Sequence, residues 1–359
     1  MVKIHMMKAY EGDFIWLSYG DMKKEHHLLI DGGVKECRER YADVIRVIFA
    51  KGESIEAIIL THIDCDHIAG ACEGIAKVDA EVLQRTVKKI IFNAPEKIHN
   101  EILVSKNSGE YGVKEGIGFW EILKEKGIHN RIIERTIAGE IINLANEALL
   151  KVISPGEKQL EKLLDKWEAY EKKYKPVGHA PDLKQVKQNL EDLTRVQTGT
   201  DSSVNNASSI AFLFEYQDIK GAFLGDAKPS VCMEGLKKIA IKDAYPVDFI
   251  KLSHHGSISN TNLKLLKKLP TVNYLLSTNG HEKKVPSKVV IAKLIRNCQE
   301  ENKPEIMLYC NYDWWESQYH NKYFTQNDRQ LYIDTGVLKI SLLDGEGTSV
   351  KDGLILYGK

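Results

Sequence analysis

Four side chains of metal-ligand type fall within six residues of this chain. The stretch Ile58-Ile59-Leu60-Thr61-His62-Ile63-Asp64-Cys65-Asp66-His67-Ile68-Ala69-Gly70 begins as an apolar run, which reads as a buried strand. It then delivers His62, Asp64, Asp66 and His67 with the spacing His-x-Asp-x-Asp-His. Two imidazoles and two carboxylates this close repel one another or stay solvated unless a cation sits among them. Imidazole suits zinc, iron or manganese, and carboxylate suits harder ions. A strand end is a rigid base for such a group, because side chains just past it are held in fixed geometry.

Two further apolar runs end in ligand-type residues. Gly221-Ala222-Phe223-Leu224-Gly225-Asp226 closes on Gly-Asp, and Val247 to Leu252 leads into Ser253-His254-His255-Gly256-Ser257. Upstream, His26 to Ile30 reads as a strand ending in Asp31-Gly32-Gly33, where the glycines let the backbone come close to a neighbour. His26 and His27, at the start of that stretch, are expected to face solvent.

The motif resembles the metallo-β-lactamase superfamily signature, Thr-His-x-His-x-Asp-His-x-Gly, with Asp64 in place of the second histidine. The same change is familiar in the hydrolase domains of DNA-uptake (ComEC-type) channel proteins and their stand-alone soluble relatives. The resemblance covers roughly residues 1–290. It implies an α/β fold, a four-layer αββα sandwich with the metal site at one edge of the two sheets.

Carried over residue by residue, the resemblance places His62 and Asp64 at a first metal and Asp66 and His67 at a second, with Asp226 bridging. The second site would also take a histidine of the His-His pair. His254 is preferred because it comes first off the strand, leaving His255 to contact substrate or exchange roles. Asp31 would support the ligands from behind. Asn205, Asn206, Ser208 and Ser209 match a polar Asn-x-Ser strand start and would shape the site. Two departures stand out. Ser154 lies where many members carry a further histidine, so the first site is rich in oxygen and short of nitrogen. Val285 lies where relatives carry a histidine, leaving His281, Lys283 or Lys284 to hold an anionic group. Two divalent ions are implied, zinc or manganese, with magnesium also tolerated.

The chain has 359 residues, 28% charged and 43% hydrophobic, with a formal net charge of +0. That balance gives no global electrostatic case for nucleic acid or membrane binding. No apolar run approaches membrane-spanning length, and Glu11 and Asp13 argue against a signal peptide. Six cysteines without a C-x-x-C pairing read as reduced cytosolic thiols, which points to the cytoplasm. With no proline- or serine-rich linker, one elaborated domain is expected over 1–290, with 291–359 as an extension packed on it. Inside it, 157–197 shows two helical stripes, Leu160/Leu163/Leu164/Trp167/Tyr170 and Leu183/Val186/Leu190/Leu193. They read as an inserted helical hairpin, a brace or lid.

The chemistry follows from the ions. A bound divalent cation lowers the pKa of its water, so hydrolysis by a metal-bound hydroxide is expected, with Asp66 orienting the nucleophile and His255 and His281 assisting. The substrate expected from the ComEC-type resemblance and the oxygen-rich site is a phosphodiester, including DNA. Two alternatives stay open: a small ester, lactone or amide, and a degenerate binding or signalling module without turnover. Lysine pairs such as Lys88-Lys89, Lys237-Lys238 and Lys267-Lys268 could form a local basic track. No Gly-x-Ser-x-Gly elbow, Walker loop or dinucleotide fingerprint competes.

Overall fold

The computed structural model describes residues 1–21, 23–93, 113–170, 187–196, 199, 201–280, 285–316, 323–343 and 354–356. Two mixed sheets face each other. The first holds β1 (Val2–Met6), β2 (Ile15–Gly20), β3 (Glu25–Ile30), β4 (Ser54–Ile59), β5 (Ile90–Ile91), β6 (Ile132–Ile133) and β15 (Leu354–Leu356), ordered β15-β1-β2-β3-β4-β5-β6. The second holds β7 (Ile141–Asn143), β8 (Leu149–Ser154), β9 (Ala211–Tyr216), β10 (Ile219–Phe223), β11 (Phe249–Lys251), β12 (Asn273–Leu276), β13 (Ile306–Cys310) and β14 (Leu338–Leu342), ordered β14 back to β7. In each sheet a parallel half joins an antiparallel half.

Period-two alternation sets the layers. Val2, Ile4 and Met6 of β1 and Ile15, Leu17 and Tyr19 of β2 point between the sheets, against Phe212, Phe214, Phe223 and Phe249. The residues between them, such as Trp16, Leu29 and Ile58, face outward onto helices. These are α1 (Arg38–Ala50), α2 (Cys65–Ala76), α3 (Ala80–Thr86) and α4 (Val113–Glu125). In α1 the buried residues Tyr41, Val44, Ile45 and Ile48 recur at helical spacing, and each contributes roughly 1.5–3 kcal/mol by leaving water.

The stretch 157–197 starts with α5 (Glu157–Tyr170). Its Leu163 and Leu160 pack into the helical layer of the first sheet, and α5 also touches the turn α7 (Val204–Ala207). The second expected stripe begins at Leu183 and Val186, which lie outside the described residues. Its end, α6 (Leu190–Leu193), buries Leu190 and Leu193 on the other sheet's outer face. That face is covered by α8 (Pro229–Lys238), α9 (Leu263–Lys268) and α10 (Lys288–Glu300). The four layers are therefore helix, sheet, sheet, helix.

A buried ion pair ties Gln188 and Leu190 to the later chain. Lys288 Nζ lies 2.5 Å from Asp328 Oδ2, both fully buried. Lys288 also donates to the Gln188 carbonyl, and Asp328 Oδ1 accepts from the Leu190 amide.

Helix α2 begins at Cys65, where the Asp64 carbonyl already accepts the His67 and Ile68 amides. Asp66 and His67 therefore sit in a helical first turn. The polar run from Asn205 does not start a strand. Ser203 caps α7 by accepting the Asn206 amide, and pairing begins only at Ala211. His26 and His27 do not face solvent. They lie within β3, interior to the sheet, and both are buried.

Candidate metal centre

The site forms where β4, β10 and β11 end at one edge of the sandwich. Asp226 is its centre and is buried. One carboxylate oxygen, Oδ2, lies 3.5 Å from His62 Nε2 and 3.6 Å from His254 Nε2. The other, Oδ1, lies 3.5 Å from His67 Nε2 and 4.0 Å from His255 Nε2. Asp64 Oδ2 reaches His62 Nε2 at 3.6 Å. Asp66 Oδ2 reaches His255 Nε2 at 3.5 Å and His67 Nε2 at 3.8 Å. The arrangement has two halves that share Asp226.

These separations are too long for hydrogen bonds, and the buried atoms His62 Nε2, His67 Nε2, His255 Nε2 and Asp226 Oδ1 make none. They are instead close to the edge of a tetrahedron around one ion. Ligand bonds of about 2.0–2.1 Å give edges of about 3.3–3.4 Å. The donor set therefore fits a divalent metal. His62, His67 and Asp226 form one compact cluster, and Asp66, His67 and His255 form another.

The imidazoles are turned ligand-side inward by their back partners. Asp31 Oδ2 accepts from His67 Nδ1 at 2.8 Å and from Thr61 Oγ1 at 2.8 Å, while Oδ1 accepts from the Thr61 amide at 2.7 Å. The Thr61 hydroxyl, its proton spent on Asp31, accepts from His62 Nδ1 at 2.9 Å. His255 Nδ1 donates to the Ser277 carbonyl at 2.9 Å. Each Nδ1 carries the proton, so each Nε2 presents its lone pair to the centre. Asp31 itself has φ 54°, the left-handed region, and Gly32 follows because a Cβ there would come within 2.2 Å of the Ala71 amide nitrogen.

The electrostatics agree. Burial alone lowers the His62 imidazole, but Asp226, Asp64 and Asp31 outweigh it and push it up to about 10. Burial likewise opposes His255, yet Asp13, Asp66 and Asp226 raise it to about 9. Burial raises the Asp226 carboxyl, and the surrounding histidines, His254 first, hold it well below the usual range. Three carboxylates here demand a cation, and without an ion they draw protons onto the imidazoles.

The expected residues mostly converge here. His62, Asp64, Asp66, His67, Asp226, His254 and His255 share the site. Beside Asp66 and His67 stands His255, whereas His254 faces Asp226 Oδ2 on the His62 side. That inverts the expected order, because His254 (φ 48°) and His255 (φ 53°) are both left-handed, and the turn swings both rings inward. Asn205 donates to Asp64 Oδ1 at 2.5 Å, and Asn206 lies 3.3 Å from His254 Nδ1. Ser208 donates to the Asn205 carbonyl at 2.8 Å, one step removed. Ser209 holds the Asp226 amide at 3.0 Å. His281, Lys283 and Lys284 lie outside the described residues.

Sequence reasoning missed Asp13, Lys251, Asp201 and Asn260. Asp13 Oδ1 lies 3.5 Å from His255 Nδ1, and its Oδ2 takes Lys251 Nζ at 2.5 Å, all three residues buried. Gly12 backs the same corner, since a Cβ there would fall 1.7 Å from the Asp66 carbonyl oxygen. A signal did exist: Gly12-Asp13 repeats the Gly-Asp pairing of Gly225-Asp226, and Lys251 is a charge set among the apolar Phe249, Ile250 and Leu252. Asp201 and Asn260 carry no such mark.

By structure, the chain is similar to CmlA, a diiron beta-hydroxylase from Streptomyces venezuelae, with 13% identity and a TM-score of 0.41, over 84% of this chain and 52% of that one. It thus spans about half the length of that hydroxylase. It is similar to the metallo-beta-lactamase fold protein YhfI from Bacillus subtilis, with 11% identity, a TM-score of 0.37 and coverage of 84% and 93%. A metallo-beta-lactamase from Staphylococcus aureus subsp. aureus COL gives 12% identity, a TM-score of 0.33 and coverage of 95% and 98%. No curated protein matches the chain by sequence. Among families, residues 20–83, which run from the end of β2 through the whole His62–His67 motif into α3, match the Metallo-beta-lactamase superfamily.

Proposed function

We propose that this chain is a binuclear metal-dependent hydrolase that acts on phosphodiesters. The observation that carries the reading is Asp226, whose two carboxylate oxygens face two separate sets of histidine and aspartate at ligand spacing. His62 and Asp64 with Asp226 Oδ2 would hold one ion. Asp66, His67 and His255 with Asp226 Oδ1 would hold the other. Zinc, manganese or magnesium, when bound, supplies a water of lowered pKa and positive charge to meet the charge that develops on the scissile group.

The chain's own contribution is position and proton handling. Asp31 locks two imidazoles in the ligating tautomer, so little reorganisation is needed. Asp66 is the carboxylate placed to accept a proton from an attacking water. The helix α2 N-terminus lies directly under it and favours its anionic form.

The substrate class rests on donor chemistry. Asp64, Asp66 and Asp226 make the site oxygen-rich, which suits manganese or magnesium, the ions best matched to phosphate oxygens. The resemblance of Asp64 and of Asn205 to Ser209 to the ComEC-type branch supports the same class, with DNA as one such substrate.

The test is metal content by elemental analysis, followed by turnover of a bis-aryl phosphodiester and of single-stranded DNA with manganese. Two ions per chain and cleavage lost in Asp226→Ala are expected. Cleavage of an aryl ester or lactone but of neither phosphodiester would replace the substrate class. No bound ion and no turnover would leave a binding module.

A further inference from the structure

We infer that His254 completes the half of the site around Asp226 Oδ2 as a second imidazole beside His62, and that Asp201 and Asn260 are the positioning residues that hold it there. This rests on the binuclear reading above.

The backbone is the first ground. His254 and His255 are consecutive left-handed residues, followed by Gly256 at φ 76°. For non-glycine residues that conformation is strained. In an extended chain neighbouring side chains would point to opposite sides. Here the left-handed pair sends both rings to one carboxylate, His255 to Oδ1 and His254 to Oδ2.

The second ground is the polar contacts of His254 Nδ1, of which Asn260 Oδ1 at 3.1 Å is the shorter and Asn206 Nδ2 at 3.3 Å the longer. Asn260 is 1% exposed. Its Nδ2 donates to Asp201 Oδ2 at 2.9 Å and to the Asp226 backbone carbonyl at 3.0 Å. Both are acceptors only, so the amide cannot be flipped. Its Oδ1 then faces His254 Nδ1 at 3.1 Å and must accept. Nδ1 therefore carries a proton, and in the neutral ring Nε2 is a lone pair pointing at Asp226 Oδ2, 3.6 Å away. Two electron-rich atoms held at that spacing call for a cation between them. Asn206 Nδ2 donates to the same Asp201 oxygen at 2.7 Å and walls the cradle.

One amide thus sets two ligands at once: the ring of His254 and, through the main chain, Asp226. Without His254 this half would have a single imidazole, His62. With it, the two halves become alike, each with two imidazole neighbours and one oxygen of Asp226.

The experiment titrates cobalt(II) into the metal-free full chain, reading stoichiometry by equilibrium dialysis and the visible absorption of the ion. The wild type should take two ions. His254→Ala should weaken one ion at least 10-fold and leave the other at wild-type affinity, while His255→Ala should weaken the opposite one. Asp201→Asn, which keeps the ring but disturbs the cradle, should weaken the same ion as His254→Ala by 10–100-fold and shift its absorption. Far-ultraviolet circular dichroism checks that each variant is folded, and His254→Gln replaces the alanine variant if it is not. Two ions bound with unchanged affinity by the His254 variants would overturn this inference and leave the binuclear reading standing. Fewer than two ions on the wild type would overturn both.

Discussion

The start and the end of β3 both gather histidines and carboxylates, and the two gatherings differ in every electrical respect. At the end, Asp31 backs His67 and, through Thr61, His62, so Nδ1 is protonated and Nε2 is bare. At the start, Trp16 Nε1 donates to His27 Nδ1 at 3.1 Å, so the neutral ring carries its proton on Nε2 and gives it to Glu53 at 2.9 Å. The tautomer is reversed. Glu25, His27 and Glu53 are close enough to hold an ion, but Lys3 sits 2.5 Å from Glu25 and Lys51 4.0 Å from both Glu25 and Glu53. Burial lowers His27 and, with Lys3, lowers His5 to about 4, whereas His62 rises to about 10. Histidine beside carboxylate is thus not enough for a metal site. What separates the two is whether the lone pairs are left facing one another at tetrahedral spacing or are already spent on donors.

The contrast can be attacked from either end. The largest effect is expected from Asp31→Ala, which frees both rings; metal affinity should fall 10–100-fold, read by competition with a chelating dye. An unchanged affinity would mean that the back partners do not set the site. Next comes pH. The folded state holds His5 near 4, below the ordinary 6.5, so the unfolded chain takes the proton first. Its contribution is full above about pH 6.5 and is lost as pH falls toward 4, with a ceiling of about 3 kcal/mol. His5→Phe should flatten that part of the stability profile, measured by urea unfolding at pH 7 and pH 4.5. A more modest change is expected from Asp64→His, which should shift preference from manganese toward zinc several-fold in a competition assay. Unchanged preference would show that Asp64 is not a ligand. The smallest is Glu53→Gln, for which the metal content by elemental analysis should stay at the wild-type value; a lost ion would mean the start of β3 is a metal site after all.

Much of this was legible because the signals are periodic or local. Alternation along β1 to β4 separates the two faces, and the ligand residues sit immediately after apolar runs. The inward turn of His254 and His255 was not legible, since it depends on two left-handed residues that no side-chain pattern demands. The burial of His26 and His27 was hidden for a different reason. Their polarity suggested solvent, but Glu56 of β4, Glu53 just before that strand and Trp16 of β2 reach them. Asp201 is distant in sequence from His254, and Asn260, only 6 residues beyond it, carries no pattern that marks it; the folded chain brings the three together.

The pair Lys288–Asp328 has a consequence for how the molecule opens. Removing the residues that include Asp328 would strand a buried ammonium and release the Leu190 amide at one stroke, a cost of about 3–5 kcal/mol. Residues 187–193 and the segment around 325–333 should therefore exchange their amide hydrogens as one unit, and a protease that nicks the later segment should loosen residues 187–193 at the same rate.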